Sequence, residues 1–173
     1  MPEHPFLSPD GALLDLKNLF NGRETKVRFT TAFPLGEGIG SVEFAGDVQV
    51  VGTVTDYSGV LQFEAEFAVE YRTVCDRCLK DVQRILKFSL DRPVTKVFRE
   101  QDEEETVFAQ NDVIDLAELA LIGVCENLPM KHLCSEDCKG LCLYCGTDLN
   151  VATCSCKAPP DPRLAGLLEF FHE

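Results

Sequence analysis

A regular alternation of hydrophobic and polar residues runs through the first half of the chain and predicts β-strands. A period of two places successive side chains on opposite faces of a strand. In the clearest stretch, 61–71, one face carries only apolar or aromatic side chains: Leu61, Phe63, Ala65, Phe67, Val69 and Tyr71. Similar patterns occupy 26–33, 41–55 and 82–90, with Gly46 and Gly52 as expected bends or bulges. Strands that follow one another through short turns predict an antiparallel meander forming a partly open barrel.

The hydrophobic period changes to that of a helix after residue 112. Asp112 or Asp115 is the expected N-cap, and Glu118 completes a capping box with Asp115. The buried stripe comprises Leu116, Leu119, Ala120 and Val124. A last helix is predicted to open at Asp161. The resulting fold class is α+β, with a sheet-and-helix core over 1–130. A Cys-rich metal-binding tail over 131–173 ends in a short helix.

The tail contains six of the chain's nine cysteines within the segment 134–156. Cys142 and Cys145 form a Cys-x-x-Cys pair followed by Gly146, a spacing that grips one tetrahedral ion from a tight turn. Four other cysteines of the segment accompany this pair: Cys134, Cys138, Cys154 and Cys156. A second Cys-x-x-Cys pair, Cys75 and Cys78, lies far upstream where a strand must reverse. These eight cysteines predict zinc binding.

The spacing leaves the number of zinc ions at one or two. Eight thiols suffice for two four-thiolate sites once Cys125, which lies in the helical pattern, is set aside. A single local site is equally compatible, with Cys142 and Cys145 joined either by Cys154 and Cys156 or by Cys134 and Cys138. His132 is a weaker candidate ligand, because thiols already suffice.

Disulfides are the competing explanation for so many cysteines, and they require an oxidising compartment. The first residues show no basic end followed by an apolar core, so we expect a cytoplasmic protein. The most apolar stretch, 119–125, is far shorter than the ~20 residues a membrane helix needs, so no membrane association is expected.

Charge changes the expected partner. The chain has 16 basic and 29 acidic residues, a formal net charge of -13, which disfavours a broad grip on nucleic acid phosphates. Glu64, Glu66 and Glu70 share the polar face of one predicted strand. A basic partner is therefore favoured, although Lys139 and Tyr144 in the tail leave a small RNA contact open.

Several motifs together resemble the YceD family of large ribosomal RNA subunit accumulation proteins. They are Cys75-Asp-Arg-Cys78-Leu79, Asp115-Leu116, Leu128-Pro129-Met130, Cys134, Cys138-Lys-Gly-Leu-Cys142, Cys145-Gly146, Asp148-Leu-Asn150, Cys154, Cys156 and Asp161-Pro-Arg163-Leu164. The similarity runs from about residue 46 to the end. It implies a role in the accumulation of large-subunit (23S) rRNA and no established catalytic activity.

The leading hypothesis is a non-enzymatic ribosome-biogenesis factor whose zinc-stabilised module contacts a basic ribosomal protein of the large subunit or precursor rRNA. The alternative is a thiol redox or hydrolytic enzyme that uses the cysteine cluster. Three scattered histidines, no Gly-rich phosphate loop and no nucleophile-base spacing argue against that alternative. No helix pattern begins at Cys75, and redox Cys-x-x-Cys pairs gain their low pKa at a helix start.

Overall fold

The fold is described from a computed structural model, in which residues 6–8, 10–97 and 105–157 are placed. Strands make up nearly half of these residues, and most of their pairings are antiparallel. The elements in chain order are β1 (Leu13–Asp15), α1 (Lys17–Phe20), β2 (Lys26–Pro34), β3 (Gly38–Ile39), β4 (Val42–Phe44), β5 (Asp47–Tyr57), β6 (Val60–Val74), β7 (Asp81–Thr95), β8 (Val107–Phe108), β9 (Val113–Asp115) and α2 (Leu116–Asn127). The predicted last helix lies outside the described residues.

Strand β6 is the centre of a seven-stranded sheet. It pairs with β5 along one edge, where β4 also joins it, and with β7 along the other; β5 in turn pairs with β2, and β7 with β8. The pairings whose registers are defined are antiparallel except for β7–β8, which is parallel. Within the described residues β2 and β8 do not pair, so the sheet stays open. The predicted partly open antiparallel meander is confirmed.

The hairpin between β5 and β6 follows the turn chemistry read from the sequence. Ser58 and Gly59 both have positive φ, at 58° and 96°, as a two-residue turn of a twisted hairpin requires. The Asp56 carboxylate accepts a 2.6 Å hydrogen bond from the Gly59 N–H. This turn sets the register that places Phe63 and Phe67 on the inner face.

The expectation of a bulge at Gly52 is wrong. Gly52 stays in regular register between Phe29 on β2 and Ala65 on β6. A Cβ at Gly52 would lie only 2.6 Å from the Phe29 ring and 2.7 Å from the Ala65 Cβ. The glycine therefore marks a close approach of neighbouring strands around a large aromatic ring, and pairing continues through it.

The core lies between the inner face of the sheet and helix α2. Phe67 and Phe88 stack with their ring centroids 5.0 Å apart. Leu116, Ala120 and Val124 of α2 are fully buried. Asp115 caps the helix as predicted, because its carboxylate accepts from the N–H groups of Ala117 and Glu118.

One glycine controls how closely α2 packs on the sheet. A Cβ at Gly123 would overlap the aromatic ring of Phe88. The absence of a side chain at residue 123 therefore lets the helix backbone rest directly on that ring.

The chain divides into two compact units. The first comprises Met1–Thr73 and Val82–Met130, and the second comprises Val74–Asp81 and Lys131–Glu173. The first unit contains the sheet, both helices and the whole buried aromatic core. The second unit therefore joins the turn between β6 and β7 to the chain that follows α2.

Candidate metal centres

Eight of the nine cysteines form two groups of four, both in the second unit. We call these groups tetrad 1 (Cys75, Cys78, Cys134 and Cys138) and tetrad 2 (Cys142, Cys145, Cys154 and Cys156). In each tetrad the four Sγ atoms lie within 4.8 Å of one another. Cys125 belongs to neither and is exposed on α2. The structure thus brings together all eight candidate residues and selects one of the pairings that spacing had left open.

Tetrad 1 has the sulfur spacing of a tetrahedral site. The Sγ atoms of Cys75 and Cys138 are 3.8 Å apart, and those of Cys78 and Cys134 are 3.5 Å apart. Four sulfurs at a typical Zn–S distance of 2.3 Å from one ion would be separated by about 3.8 Å. A disulfide would need about 2.05 Å. The observed separations exceed that length, so the arrangement fits an ion better than a cross-link.

The two Cys-x-x-Cys pairs form turns with the same backbone hydrogen bonds. At the first turn the Leu79 N–H donates to the Cys75 carbonyl over 2.9 Å, and the Cys75 N–H donates to the Lys80 carbonyl over 2.8 Å. At the second turn Gly146 donates to Cys142 over 2.9 Å, and Cys142 donates to Thr147 over 2.8 Å. Each turn therefore closes around its first cysteine in the same way.

Each turn also requires positive φ directly after its second cysteine. Gly146 has φ 70°, which costs glycine little. Leu79 has φ 59° at the equivalent position, a conformation that disfavours a side chain by roughly 1–2 kcal/mol. The Cys-x-x-Cys-Gly signal in the sequence therefore identified only one of two equivalent turns.

The turn geometry changes the acidity of the tetrad 1 thiols. Burial opposes ionisation of Cys75, but the N–H groups of Cys134, Arg77 and Cys78 more than compensate and lower its pKa to about 6. At Cys78 the Lys80 N–H favours the thiolate, yet burial and the neighbouring thiols raise its pKa to about 12. Tetrad 1 therefore contains one thiol of lowered pKa, Cys75, and one of raised pKa, Cys78.

Tetrad 2 also combines thiols of lowered pKa with thiols of raised pKa. The Thr147 hydroxyl, 3.0 Å from the Cys145 sulfur, is the main cause that lowers the pKa of Cys145 to about 6. The Cys145 thiol in turn raises the pKa of Cys156 to about 12, with partial desolvation by neighbouring atoms adding to the effect. The pKa of Cys142 is lowered chiefly by the N–H groups of Cys145 and Tyr144.

Both donor sets fit one soft divalent ion each. Thiolate is the ligand that zinc and iron–sulfur centres prefer, and four of them complete a tetrahedral shell. Backbone N–H groups directed at the sulfurs of Cys75 and Cys142 stabilise the thiolate form that a metal requires. Each tetrad can therefore hold a metal ion.

Residues between and after the cysteines position tetrad 1. The Asp76 carboxylate accepts a 2.7 Å hydrogen bond from the His132 N–H, and the Asp76 N–H donates over 2.8 Å to the His132 carbonyl. The Arg77 guanidinium donates to the Cys138 carbonyl over 2.7 Å. His132 thus contributes its backbone to this region, and neither tetrad includes its imidazole. In the sequence Asp76 and Arg77 appear only as parts of the YceD-like motif, because a positioning role leaves no spacing signal.

A comparison with known protein families shows which family this chain belongs to. The family described as "Large ribosomal RNA subunit accumulation protein YceD" matches residues 63–171, more than half of the chain. The chain belongs to the YceD family. The match begins later than the resemblance seen in the sequence, which ran from about residue 46. It includes every cysteine of both tetrads.

Curated relatives of this YceD protein come from mycobacteria. An uncharacterized protein of Mycobacterium tuberculosis is 30% identical over 99 residues, covering 55% of this chain and 48% of the relative. An uncharacterized protein of Mycobacterium leprae is 34% identical over 111 residues, covering 61% of this chain and 44% of the relative. The YceD chain thus spans about half the length of the curated relatives it matches. No solved structure matches it.

Within the described residues, neither helix of the YceD chain has the length and apolar character that crossing a membrane demands.

Proposed function

We propose that this protein is a non-enzymatic ribosome-biogenesis factor needed for accumulation of large-subunit (23S) rRNA. Its second unit binds two zinc ions, and acidic surfaces on both units attract a basic ribosomal protein of the large subunit. Membership of the YceD family supports the process. The observation that carries the metal assignment is the gathering of eight thiols into two tetrads within one small unit.

Both donor sets contain only sulfur, which selects zinc or iron over harder ions such as Mg²⁺ and Ca²⁺, and we propose zinc. When bound, zinc supplies structural cross-links and stabilises folding of the surrounding chain. Four thiolates fill a tetrahedral shell and leave no position for a substrate or water. This closed shell supports a structural role and is the reason that the proposal excludes catalysis.

Elemental analysis of the full chain, prepared under reducing conditions, tests the metal assignment. Two equivalents of zinc per chain are expected. Replacing Cys125 by Ser is the matched control, because this cysteine lies outside both tetrads and the variant should retain two equivalents. Iron in place of zinc, or a metal content near zero with intact free thiols, would contradict the assignment.

The choice of partner rests on the charge of both units. On the outward face of β6, the exposed Glu64 and Glu66 line a surface groove of about 590 Å³ together with Asp91. Arg28 at the edge of the same groove offsets only part of this negative charge. An arginine or lysine side chain of a partner complements such a surface.

The metal sites would make the second unit acidic as well. Its described residues include five Lys or Arg and five Asp or Glu side chains, so they balance. Four thiolates around one divalent ion leave a charge of -2, and two such sites leave about -4. Naked RNA is repelled by this charge, whereas a basic ribosomal protein is attracted.

Charge reversal on the groove tests the partner assignment. Glu64→Lys combined with Glu66→Lys should weaken binding to purified basic ribosomal proteins of the large subunit by at least about tenfold, because it reverses two charges in the groove. Glu37→Lys with Glu43→Lys is the matched control, since it makes the same charge change at exposed positions outside the groove. Affinity is measured by titration of labelled protein.

The alternative is that the protein contacts rRNA directly. Measuring its binding to bare 23S rRNA over a range of salt concentrations tests this alternative. Each phosphate contact adds a slope of roughly 0.7 to 0.9 to the logarithmic salt dependence. Tight binding with a slope equivalent to about five or more contacts would contradict the protein-partner proposal. Binding to rRNA only in the presence of a basic ribosomal protein would support it.

A further inference from the structure

The loop between Cys145 and Cys154 belongs to tetrad 2 in sequence but reaches a ligand of tetrad 1. In this loop the Asn150 side-chain amide donates a 3.5 Å hydrogen bond to the Cys138 sulfur. The Asn150 Oδ1 atom accepts a 2.8 Å hydrogen bond from the Lys139 N–H. Asn150 therefore holds both the sulfur of Cys138 and the backbone directly after it.

The orientation of the Asn150 amide is fixed by its neighbours. Its Nδ2 atom lies 2.8 Å from the Asp148 carboxylate, which also accepts a 2.9 Å hydrogen bond from the Asn150 N–H. A flipped amide would direct its oxygen at a carboxylate and its NH₂ group at the Lys139 N–H donor. The donor is thus directed at the Cys138 sulfur, which favours the thiolate that binds a metal.

The short segment that joins the tetrads is held from both sides. Cys138, the last member of tetrad 1, is separated from Cys142, the first member of tetrad 2, by only three residues. Within that segment the Gly140 carbonyl accepts from the Leu149 N–H over 2.9 Å. The Leu141 N–H donates to the Arg77 carbonyl over 3.0 Å. Ordering the loop of tetrad 2 therefore also orders the ligand segment of tetrad 1.

We propose that Asn150 is a positioning residue through which the tetrad 2 loop supports metal binding at tetrad 1, so that the two ions bind cooperatively. This inference rests on the proposed metal binding. An ion at tetrad 2 fixes both ends of the loop, and the ordered loop presents Asn150 to Cys138. By thermodynamic linkage, an ion at tetrad 1 strengthens binding at tetrad 2 by the same factor.

The affinity of tetrad 1 for Co²⁺ and Zn²⁺ is measured in the full chain through the thiolate-to-cobalt absorption band. Replacing Cys145 and Cys156 by Ser removes tetrad 2 and isolates the signal of tetrad 1. In the chain with both tetrads, Asn150→Ala should lower the metal affinity of tetrad 1 by about tenfold or more. Residues that support metal ligands typically contribute 10–100-fold to that affinity. Val151→Ala is the matched control, since this neighbouring side chain is 79% exposed.

A double-variant cycle measures the coupling itself. With Asn150 present, removing tetrad 2 should lower the metal affinity of tetrad 1 by about tenfold. In the Asn150→Ala background, the same removal should lower that affinity by less than about threefold. Asn150→Asp should weaken tetrad 1 more than Asn150→Ala, because a carboxylate would lie beside the thiolates. This variant keeps the size of the side chain and an acceptor for Lys139, and circular dichroism checks that each variant retains its sheet.

Two results would overturn the proposal in different ways. If the wild-type chain binds two ions and Asn150→Ala changes neither the affinity of tetrad 1 nor its dependence on tetrad 2, the coupling is refuted and the metal assignment stands. If the wild-type chain binds no metal, the metal assignment and the coupling fall together.

Discussion

The two tetrads share one turn geometry but differ in how the chain assembles them. Tetrad 2 draws all four cysteines from 142–156, whereas tetrad 1 joins the turn after β6 to sulfurs 56 and 63 residues further along the chain. Three members of tetrad 1 are buried, while Cys145 and Cys156 of tetrad 2 are exposed. Similar local chemistry therefore serves a long-range connection in one case and a local loop in the other.

This difference indicates unequal contributions to stability. Closing a long loop restricts the unfolded chain more than closing a short one, although the cost grows only logarithmically with length. Burial also shields tetrad 1 from solvent and chelators. We therefore expect loss of tetrad 1 to disorder the whole second unit, and loss of tetrad 2 to affect mainly its own loop.

The largest effect is expected from Cys78→Ser. It should remove the metal of tetrad 1, weaken metal binding at tetrad 2 so that the total falls below one equivalent, and expose 131–157 to amide hydrogen exchange, because structural zinc contributes ~10 kcal/mol or more to folding of such segments. The sheet should persist, since its core lies wholly in the first unit. Mass-resolved hydrogen exchange measures both regions, and cooperative loss of protection throughout the sheet would contradict the expected division.

Cys145→Ser should have a smaller effect. One equivalent of metal should be lost, but increased exchange should concentrate in 142–156, because tetrad 1 still holds the turn at Cys75 to the chain at Cys138. Measuring hydrogen exchange of the two Ser variants under identical conditions tests whether the tetrads contribute unequally to stability. Equal exchange patterns in the two variants would mean that the tetrads form a single cooperative unit.

The two equivalent turns allow a matched pair of backbone substitutions. Gly146→Ala should destabilise tetrad 2 by about 1 kcal/mol, because a side chain is disfavoured at φ 70° even though open space surrounds it. Leu79→Gly should be neutral or slightly stabilising, since Leu79 is 64% exposed and its strain is relieved at a cost of roughly 0.4–1 kcal/mol in chain entropy. Competition with a zinc chelator measures both, and a neutral or stabilising Gly146→Ala together with a clearly destabilising Leu79→Gly would refute the equivalence of the turns.

The smallest effect is expected from Lys80→Gln. Lys80 lies 2.7 Å from the Asp148 carboxylate, but its side chain is 53% exposed. Ion pairs of this kind contribute between about 0 and 1 kcal/mol and weaken with salt. Thermal unfolding of the second unit at low and high salt measures this contribution, and a loss well above that range would mean that Lys80 does more than pair with Asp148.

Much of the first unit was readable from sequence because its signals are local and repeated. Alternation over 61–71 placed six side chains inward, and the structure buries each of them to 5% exposure or less. Asp115 was readable as a cap because an N-cap acts within three residues. Gly52 was misread as a bulge, because the sequence shows a missing side chain but not the Phe29 ring that occupies its space.

For the candidate site, the eight cysteines could be singled out from the sequence, because two Cys-x-x-Cys pairs and the crowding of six cysteines within 134–156 are visible without a fold. Which cysteines share a tetrad could be learned from the tertiary structure alone, because the chain passes through β7, β8, β9 and α2 between Cys75 and Cys138 before their sulfurs meet. The structure also revealed Leu79 as the counterpart of Gly146, and Asn150 as a partner of the Cys138 sulfur. Spacing along a chain specifies a local turn, whereas proximity between distant segments depends on how the elements between them pack.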